Sequence, residues 1–550
     1  MKRPLAALLF LFTILGSSYD GHAQTFEEEF DALLEPKLLH ESPGGTAIVA
    51  VDGNVLYHKS FGTADLELDL AMETGHMFRI GSITKQFTAC AIMRLAEQGK
   101  LSLQDSITKF IHDYPSRGNA ITLENLLTHT SGIKNITAMP EWTSEVQRKD
   151  FTPKGVVDFF KNEPFDFVPG SDYNYSNSNY ILLGYIIELV TGYSYGEYLS
   201  QNFFQPLGMN HTTCDSFTSI ISGRIDGYQK TNGQYANASF LNMTQPLSAG
   251  ALLSNTSDLN TWYNALMTNK VISKSSWEKA QRPFQLSNGK MTNYGYGWEL
   301  GNIQGSPSIR HSGKINGFAT YSLYLPDEKV FVAIFSNCDC TTDLETVASK
   351  IAARAINKPY TWKSLRLSEK TLSEFEGVYD AEGHEDKIVS FEDGRLLCYA
   401  PKKIKTELLA VSKDRFRIQN TLTILQFSRD KKGKITACIA QNTDSPVTWM
   451  RTEKKLTKLK AIKVQPKTFD QYVGRYQFGS AYFVVLKEDS KLYGKAPGEN
   501  QVRQEILPFA KHKFFAKNLD AQIRFNVNAQ GKVVSLTIIQ NGEKTAPRVE

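Results

Sequence analysis

A serine and a lysine stand three residues apart in the stretch FRIGSITKQF, residues 78–87, as Ser82 and Lys85. A serine hydroxyl is a weak nucleophile, so it needs a neighbouring base and hydrogen-bond donors for the negative charge that forms on the substrate oxygen. The same spacing recurs elsewhere in the chain, at Ser131/Lys134, Ser276/Lys279 and Ser428/Lys431. Spacing alone therefore does not single out a nucleophile, and the surrounding elements must decide.

The surroundings of Ser82 favour a reactive role. The residue stands where a strand or loop enters a predicted helix that begins at Ile83 and ends at Gly99. The first turn of a helix offers free backbone N–H groups and the positive end of the helix dipole. Because Lys85 is on the same side of that turn, a half-buried cleft would remove its hydration and lower its pKa. A capping serine beside a solvated lysine remains the alternative for this pair alone.

A second candidate stretch is FVPGSDYNYSNSNY, residues 167–180, in which a Pro-Gly turn precedes a predicted helix. Tyr175 is a candidate proton acceptor if a cation lowers its pKa. Asn177 is a candidate to hold both a substrate carbonyl and Lys85. The alternative is an ordinary surface turn rich in aromatic residues and asparagine.

A third stretch, SIRHSGKINGF at residues 308–318, places His311 and Gly313 on the edge of a predicted strand. Glycine at such a position lets a substrate lie close to the backbone. The N–H of Lys314 and the N–H of Ser82 are then the two candidate donors of an oxyanion hole. The alternative is a histidine in a turn.

Helical and strand periods alternate along the chain up to Lys358. Glycines end the helical stretches, and an Asp-Gly pair joins two β-rich runs. The predicted elements are a hairpin at Thr46–Gly62, helices at Phe87–Lys100 and Asn179–Gly192, a strand pair at Phe318–Asn337 and a closing helix at Leu344–Ile356. We predict an α/β (α+β) domain over residues 24–358, with an antiparallel sheet flanked by helices.

Beyond Lys358 the chain contains an internal repeat of short alternating strands. The offset between the copies is 96 to 99 residues. Matching segments are FEGVYD (375–380) with YVGRYQ (472–477), GRLLCYAP (394–401) with SKLYGKAP (490–497), and 425–441 with 523–540. Many short, evenly spaced strands predict closed or nearly closed barrels. We therefore expect two all-β barrel modules, at residues 366–452 and 466–550.

The first 23 residues have the composition of a secretory signal peptide. Lys2 and Arg3 form a basic end, Pro4–Gly16 is apolar, and Ala23 is a small residue at the expected cleavage site. About 13 apolar residues are too few to span a bilayer. We therefore expect residues 1–23 to be removed and the protein to be periplasmic or secreted.

Charge and motif content limit the other partners. A net charge of +5 over 550 residues gives no case for nucleic-acid binding. No later segment reaches about 18 consecutive apolar residues, so we expect no stable membrane insertion after signal removal. No zinc-binding spacing occurs, and no cofactor is implied. The oligomeric state stays open.

Six cysteines are present. Cys338 and Cys340 follow an apolar run, and positions so close on a strand cannot easily bridge. Cys398 and Cys438 fall within one predicted barrel module and are the better candidates for a disulfide. Buried free thiols are the alternative for that pair.

Together these stretches resemble the serine β-lactamase and penicillin-recognising peptidase group, with class C enzymes, D-aminopeptidases and D-Ala-D-Ala carboxypeptidases as the most similar members. The S-x-x-K of the group matches Ser82–Lys85, its Y-x-N matches Tyr175–Asn177, and its K-T-G or H-x-G matches His311–Gly313. The phrase LLTHTSGI (Leu126–Ile133), which by itself suggests no reactive role, also looks like the group. The C-terminal modules resemble lipocalin-like barrels appended to some D-aminopeptidases.

The resemblance implies a β-lactamase-like transpeptidase domain that hydrolyses peptide or amide bonds through an acyl-enzyme, with D-stereospecific peptidases among the relatives. Ser82 would attack with the help of Tyr175 and Lys85, while Asn177 and His311 would position the substrate. Histidine in place of the lysine of β-lactamases looks more like the peptidases of the group. It also loses the fixed cation that would pair with a β-lactam carboxylate.

Other hypotheses about the function stay open. The same machinery suits an esterase or a weak β-lactamase acting on small peptides, amides or esters. A non-catalytic envelope protein that binds ligands in its barrels is a third reading, although the intact motif set argues against it. An aminopeptidase needs an acidic group for the substrate amine, which the sequence does not reveal. A carboxypeptidase needs a cation, and Arg310 is a poor candidate because it alternates to the other face from His311.

Overall fold

The computed structural model describes residues 17–38, 42–231, 233–441, 446–456, 458–479, 481–496, 503–540 and 542–549. The chain forms two compact units that divide near residue 360, with the short segment 230–234 grouped with the second unit. Most of the predicted signal peptide lies outside the described residues, which begin within it at Ser17. No helix of the described part is both long and apolar enough to cross a membrane.

The first unit mixes helices and strands as the sequence predicts. Its helices are α1 (Ser17–Leu34), α2 (Thr84–Glu97), α3 (Leu123–Leu127), α4 (Ser144–Gln147), α5 (Pro153–Phe160), α6 (Asn177–Thr191), α7 (Tyr195–Leu199), α8 (Gln205–Leu207), α9 (Leu247–Gly250), α10 (Thr256–Met267), α11 (Lys274–Ala280) and α12 (Leu344–Ala355). Short 3₁₀ turns occupy Gly81–Ile83, Ile107–Lys109 and Ile136–Ala138, and a π-helical turn occupies Ser200–Phe204.

Thirteen strands belong to the described part before residue 360. They are β1 (Gly45–Val51), β2 (Asn54–Phe61), β3 (Thr63–Asp65), β4 (Leu70–Ala71), β5 (Phe78–Arg79), β6 (Thr213–Cys214), β7 (Tyr228–Thr231), β8 (Gln234–Asn237), β9 (Leu252–Ser254), β10 (Glu299–Ile303), β11 (Ser306–Ile315), β12 (Phe318–Leu325) and β13 (Val330–Ser336).

The main sheet has six antiparallel strands in the order β10-β11-β12-β13-β1-β2. One face packs against α1 and α12 through side chains such as Phe30 and Ile351. The other face packs against the large helical core that contains Phe87 and Phe331. Because both faces are covered, β13 (VFVAIFS) is buried along its whole length rather than alternating. The predicted fold class is confirmed.

A smaller three-stranded sheet, β5-β9-β6, carries the chain into the first functional motif. β5 pairs with β9 through Phe78 and Arg79, and the 3₁₀ turn Gly81–Ile83 then leads into α2. The first ten residues of α2 are all buried, so this helix runs through the core. The side chains of α2 near Ser82, including Lys85, are therefore held in place by the surrounding core.

The expectation that Cys338 and Cys340 cannot easily bridge was wrong, and of the two alternatives for Cys398 and Cys438 the structure has the free thiols. Cys338 is bonded to Cys340, with Cα atoms 5.0 Å apart, while Cys398 and Cys438 are buried free thiols. β13 ends at Ser336, so the bonded pair lies in a turn, where the N–H of Thr341 donates to the carbonyl of Cys338 at 3.2 Å. The strand geometry that seemed to forbid the bond does not apply there.

The second unit contains α13 (Glu369–Ser373), a 3₁₀ helix at Pro466–Tyr472 and sixteen strands among its described residues. The first eight are β14 (Gly377–Asp380), β15 (Lys387–Glu392), β16 (Arg395–Tyr399), β17 (Thr406–Ser412), β18 (Arg415–Ile418), β19 (Ile424–Arg429), β20 (Ile435–Gln441) and β21 (Thr448–Arg451). The second eight are β22 (Gly474–Phe478), β23 (Ala481–Glu488), β24 (Lys491–Lys495), β25 (Gln504–Ala510), β26 (Lys513–Ala516), β27 (Gln522–Val527), β28 (Val533–Ile539) and β29 (Glu543–Pro547).

Strands β14–β21 close into a barrel, and β22–β29 form an eight-stranded sheet in chain order. The second sheet approaches closure through a bridge between Tyr476 and Arg548. The repeat is visible in side-chain contacts as well. The hydroxyl of Tyr379 donates to the carbonyl of Phe375 at 2.6 Å, and that of Tyr476 donates to the carbonyl of Tyr472 at 2.7 Å. Each module thus has its own aromatic core and the same hydrogen bond from a tyrosine hydroxyl to a backbone carbonyl.

We predict that Tyr379→Phe and Tyr476→Phe each destabilise their own module by about 1 kcal/mol, because a buried carbonyl loses its donor. Tyr482→Phe, at a partly exposed position in β23, is the matched control and should change little. Thermal unfolding of the full chain measures the effect. Equal melting curves for all three variants would show that this hydrogen bond contributes nothing to stability.

Candidate active site

Ser82 lies in the 3₁₀ turn before α2, half-buried, with two partners for its hydroxyl. The hydroxyl of Tyr175 donates to Ser82 Oγ at 2.8 Å, and Lys85 Nζ lies 3.0 Å from the same oxygen. Tyr175 is 93 residues away in sequence, so the fold rather than local structure brings it here. The three predicted catalytic residues are therefore in direct hydrogen-bond contact.

Lys85 is fully buried, and its partners carry no net charge. Nζ donates to Asn177 Oδ1 and to the carbonyl of Ala249, both at 2.8 Å. It also lies 4.8 Å from the centre of the Tyr175 ring. Burial lowers the pKa of Lys85 well below its ordinary value, because the charged form loses its hydration. An uncharged amine 3.0 Å from a serine hydroxyl has a free lone pair and can accept its proton.

Tyr175 differs from the sequence-based expectation. Burial raises its pKa, so the phenol keeps its proton and acts as the donor in its contact with Ser82. In the sequence analysis Tyr175 was a candidate proton acceptor on the condition that a cation lowered its pKa, and that condition is not met. The group with the lowered pKa is Lys85. The geometry thus favours Lys85 as base and Tyr175 as hydrogen-bond donor.

Asn177 is the first residue of α6, and its amide is held from both sides. Its oxygen accepts from Lys85, and its nitrogen points to Asn135 Oδ1 and Thr137 Oγ1, each at 3.4 Å. Its backbone N–H also donates to Asn135 Oδ1 at 3.1 Å. The side chain lines the cavity beside Ser82, as expected for a residue that touches substrate.

His311 on β11 lies behind the site rather than in it, and is 1% exposed. Its Nδ1 is 2.7 Å from the carbonyl of Ser312 and must donate to it, so Nε2 accepts from the hydroxyl of Tyr294 at 2.9 Å. Burial is the main cause that lowers the pKa of His311 to about 3. The imidazole is therefore uncharged. The expected direct contact with substrate is replaced by support of Tyr294 and, through ring packing at 6.1 Å, of Tyr175.

Gly313 and Lys314 bring β11 against the turn that carries Ser82. A Cβ on Gly313 would lie 2.1 Å from the carbonyl oxygen of Ile80, so glycine is required by the protein backbone itself rather than by a substrate. Gly81 adopts φ +52°, and a Cβ there would lie 3.0 Å from the nitrogen of Lys314. This approach brings the N–H groups of Ser82 and Lys314 to the same turn, as the proposed oxyanion hole needs.

The other serine–lysine pairs have different surroundings. Ser131 Oγ donates to Asn179 Oδ1 at 2.6 Å, while Lys134 pairs with Asp166 at 3.5 Å. Lys279 pairs with Glu124 at 3.5 Å. Burial of Lys85 beside its serine is what sets the first pair apart.

Arg310 lies on the opposite sheet face from His311, as expected. Its guanidinium contacts Glu345 on α12 at 3.5 Å and Glu299 at 3.8 Å. It is therefore committed to the packing of that face.

His129, in the LLTHTSGI stretch, is the residue whose importance the sequence did not reveal. It is fully buried, adopts φ +58°, and its Nδ1 accepts the N–H of Ser176 at 3.1 Å. Its ring lies 4.3 Å from that of Tyr175 and 4.7 Å from that of Tyr294. Burial lowers its pKa well below the ordinary value, so it too is uncharged. No local sequence signal set His129 apart, because its burial and its left-handed backbone arise from the fold.

A cavity of about 300 Å³ opens beside Ser82. Its lining comes from the 3₁₀ turn at Ile136, from α4 and the residues before it, from α6, from the segment before β9, and from the end of β11. Ser82 lines this cavity, so a small molecule in the cavity can reach its hydroxyl.

Comparison with known proteins agrees with this geometry. A family model described as Beta-lactamase matches residues 27–355, and one described as a domain of unknown function (DUF3471) matches residues 458–546. Penicillin-binding protein 4* of Bacillus subtilis (strain 168) is 29% identical over 413 residues, 70% of this chain and 90% of that protein.

Two solved structures have the same fold. A D-stereospecific amidohydrolase from Streptomyces sp. shares 28% identity with a TM-score of 0.52, over 58% of this chain and 97% of that one. An octameric penicillin-binding protein homologue from Pyrococcus abyssi shares 24% identity with a TM-score of 0.55, over 88% of this chain and 99% of that one. The second likeness, which shows the fold alone, extends beyond the first unit.

We predict that His129→Phe lowers kcat about 10- to 100-fold with little change in KM, because the Ser176 N–H loses its acceptor and Tyr175 loses its support. His129→Asn should retain more activity, since asparagine tolerates the left-handed backbone and offers an acceptor. Steady-state kinetics and melting temperatures of both variants decide the matter. Equal losses in the two variants, in proportion to stability alone, would reduce His129 to a packing residue.

Proposed function

The chain belongs to the Beta-lactamase family and is a serine hydrolase of that family, and on that basis we propose that it hydrolyses amide bonds through an acyl-enzyme formed on Ser82. The observation that carries the proposal is the contact of Ser82 Oγ with a buried Lys85, whose pKa burial lowers, on one side and with the hydroxyl of Tyr175 on the other. Such a pair supplies both the base and the donor that a weak nucleophile needs.

In the first step Ser82 Oγ forms a bond to the substrate carbonyl carbon while its proton passes to Lys85 Nζ. The electron pair of the carbonyl moves to its oxygen, where the N–H groups of Ser82 and Lys314 stabilise the charge. When the intermediate collapses, the amide C–N bond breaks, and the leaving nitrogen takes the proton from Lys85, directly or through Tyr175. Lys85 is then uncharged again, ready for the second half of the reaction.

In the second step a water molecule replaces the amine beside the acyl group. Lys85 accepts a proton from this water, the oxygen adds to the acyl carbon, and the ester bond to Ser82 breaks. Ser82 Oγ regains a proton from the Lys85–Tyr175 network. Asn177 holds Lys85 through both halves, and its amide nitrogen faces the cavity side of the site.

The similar proteins support amide substrates. One is a D-stereospecific amidohydrolase at 28% identity, and another is a penicillin-binding protein at 29% identity. We accordingly propose peptides or amides, D-residues included, as substrates. Esters are the second candidate, because the same Ser82–Lys85 contact attacks them with a better leaving group. An uncharged His311 gives no cation at its own position for a β-lactam carboxylate, and we expect β-lactamase activity to be weak.

We also propose that the protein acts outside the cytoplasm. The support is the composition of the first 23 residues, with a basic end, an apolar stretch and a small residue before Gln24. Expression with and without that segment, followed by fractionation, tests this separately from activity.

We predict that Ser82→Ala removes labelling by a fluorophosphonate probe and lowers turnover of p-nitroanilide substrates roughly 10⁴-fold or more. Ser276→Ala is the matched control, because Ser276 has the same spacing to a lysine but lies on α11. Mass spectrometry locates the adduct. Wild-type turnover in the Ser82→Ala variant, or an adduct on another serine, would contradict the assignment.

A further inference from the structure

We propose that the cavity beside Ser82 holds the acyl part of the substrate and selects uncharged apolar groups about the size of an aromatic ring. Resting on the function proposed above, this names its substrate class: amides of acids whose acyl group carries no free amine. A D- or L-aminoacyl amide with a free ammonium would then be a poor substrate.

The composition of the cavity wall is the first observation. Side chains from four separate segments contribute apolar surface. They are Ile136, Trp142, Ile181, Leu241, Pro246 and Ile315. A volume of about 300 Å³ exceeds the roughly 150 Å³ of an apolar cavity that can hold benzene. It leaves space for one ring and the linking atoms that reach Ser82.

The second observation is that the wall is fixed in place. The side-chain N–H groups of Gln245 donate to the carbonyl of Val146 at 2.7 Å and to that of Lys149 at 2.5 Å. The N–H of Asn242 donates to the carbonyl of Gln147 at 2.8 Å. These bonds tie the segment before β9 to α4, so the cavity has its shape before substrate arrives. Preformed apolar sites are the ones that discriminate by size and charge.

The third observation concerns the aromatic wall. Trp142 packs edge-to-face on Phe159 with ring centres 5.8 Å apart, which holds the indole in one orientation. An indole face of this kind offers a ring-sized apolar surface. Trp142 therefore supplies one fixed aromatic part of the cavity wall.

The charge of the cavity lining also disfavours a substrate with an ammonium group. An ammonium group moved from water onto apolar surface loses hydration, which costs far more than the burial of a methylene returns. The charged side chain that lines the cavity is Lys314, a cation, which adds repulsion. The polar lining groups include the neutral amides of Gln147, Asn177, Gln245 and Asn316, which suit a neutral amide in the substrate.

The experiment compares four p-nitroanilides that differ in the acyl group alone: the acetyl compound, the phenylacetyl compound and the two phenylglycyl enantiomers. Phenylacetyl and phenylglycyl share the ring and differ by one amine. We expect kcat/KM for phenylacetyl to exceed that for acetyl about 10- to 100-fold from ring burial. We expect both phenylglycyl enantiomers to fall below phenylacetyl at pH 6, and the gap to narrow as the amine loses its proton at pH 9.

Two variants of Leu241 test the site itself. Leu241→Asp places a carboxylate on the wall, and Leu241→Asn is its uncharged control of equal size. The readout is the ratio of phenylglycyl to phenylacetyl kcat/KM within each variant, so a loss of folded protein cancels. We expect the ratio to rise at least tenfold in Leu241→Asp relative to Leu241→Asn. An unchanged ratio, or a wild type that prefers phenylglycyl, would overturn the proposal.

A binding measurement separates this inference from the proposed reaction. Calorimetry with the Ser82→Ala variant compares phenylacetamide with phenylglycinamide at pH 6, and we expect the uncharged ligand to bind at least tenfold more tightly. If phenylacetamide binds more tightly but the wild type cleaves no anilide, the cavity has the proposed selectivity and the proposed hydrolase function is wrong. If the two ligands bind equally and the wild type cleaves anilides efficiently, the hydrolase function stands and the proposed selectivity of the cavity is wrong.

Discussion

The burial of Lys85 among neutral dipoles is the constraint on which the rest of the site depends. Its Nζ meets a hydroxyl, an amide oxygen and a carbonyl, and a buried cation without an ionised partner is costly. The surrounding groups are uncharged as well. Burial lowers the pKa of His129 and His311 and raises that of Tyr175, Tyr180 and Tyr294. Burial therefore favours the uncharged form of Lys85, which is the form that can act as a base.

The close packing of α2, α6 and α9 keeps Lys85 buried. α6 and α9 approach so closely that a Cβ on Gly184 would lie 1.9 Å from Ser248 Oγ. That hydroxyl donates to the carbonyl of Tyr180, and Thr88 on α2 donates to the carbonyl of Ser248, both at 2.7 Å. The three helices are thus bonded together around α9, whose Ala249 carbonyl accepts from Lys85. Specificity follows from the same packing, since the cavity wall before β9 continues directly into α9.

Much of this could be predicted from the sequence, because the information was local. The spacing of Ser82 and Lys85, the turn before Asn177, and the repeated Gly-x-Tyr of the barrels are short patterns with direct structural meaning. Burial is not local, so the division of roles between Lys85 and Tyr175 could not be predicted. His311 was expected to meet substrate, but its backing by Tyr294 depends on residues 17 apart meeting in the fold. The Cys338–Cys340 bond was missed because strand geometry was applied to two cysteines that lie beyond the end of β13.

The pH dependence of Ser82 acylation tests the uncharged lysine most directly. Rapid-mixing measurement of acylation by an activated p-nitrophenyl ester, between pH 5 and 10, isolates the step in which Lys85 accepts the proton. The rate should rise as Lys85 loses its proton, with a midpoint well below the value of about 10.4 for an ordinary lysine, and then level off. A midpoint near that ordinary value, or a rate that does not change with pH, would contradict a buried, uncharged Lys85 as the base.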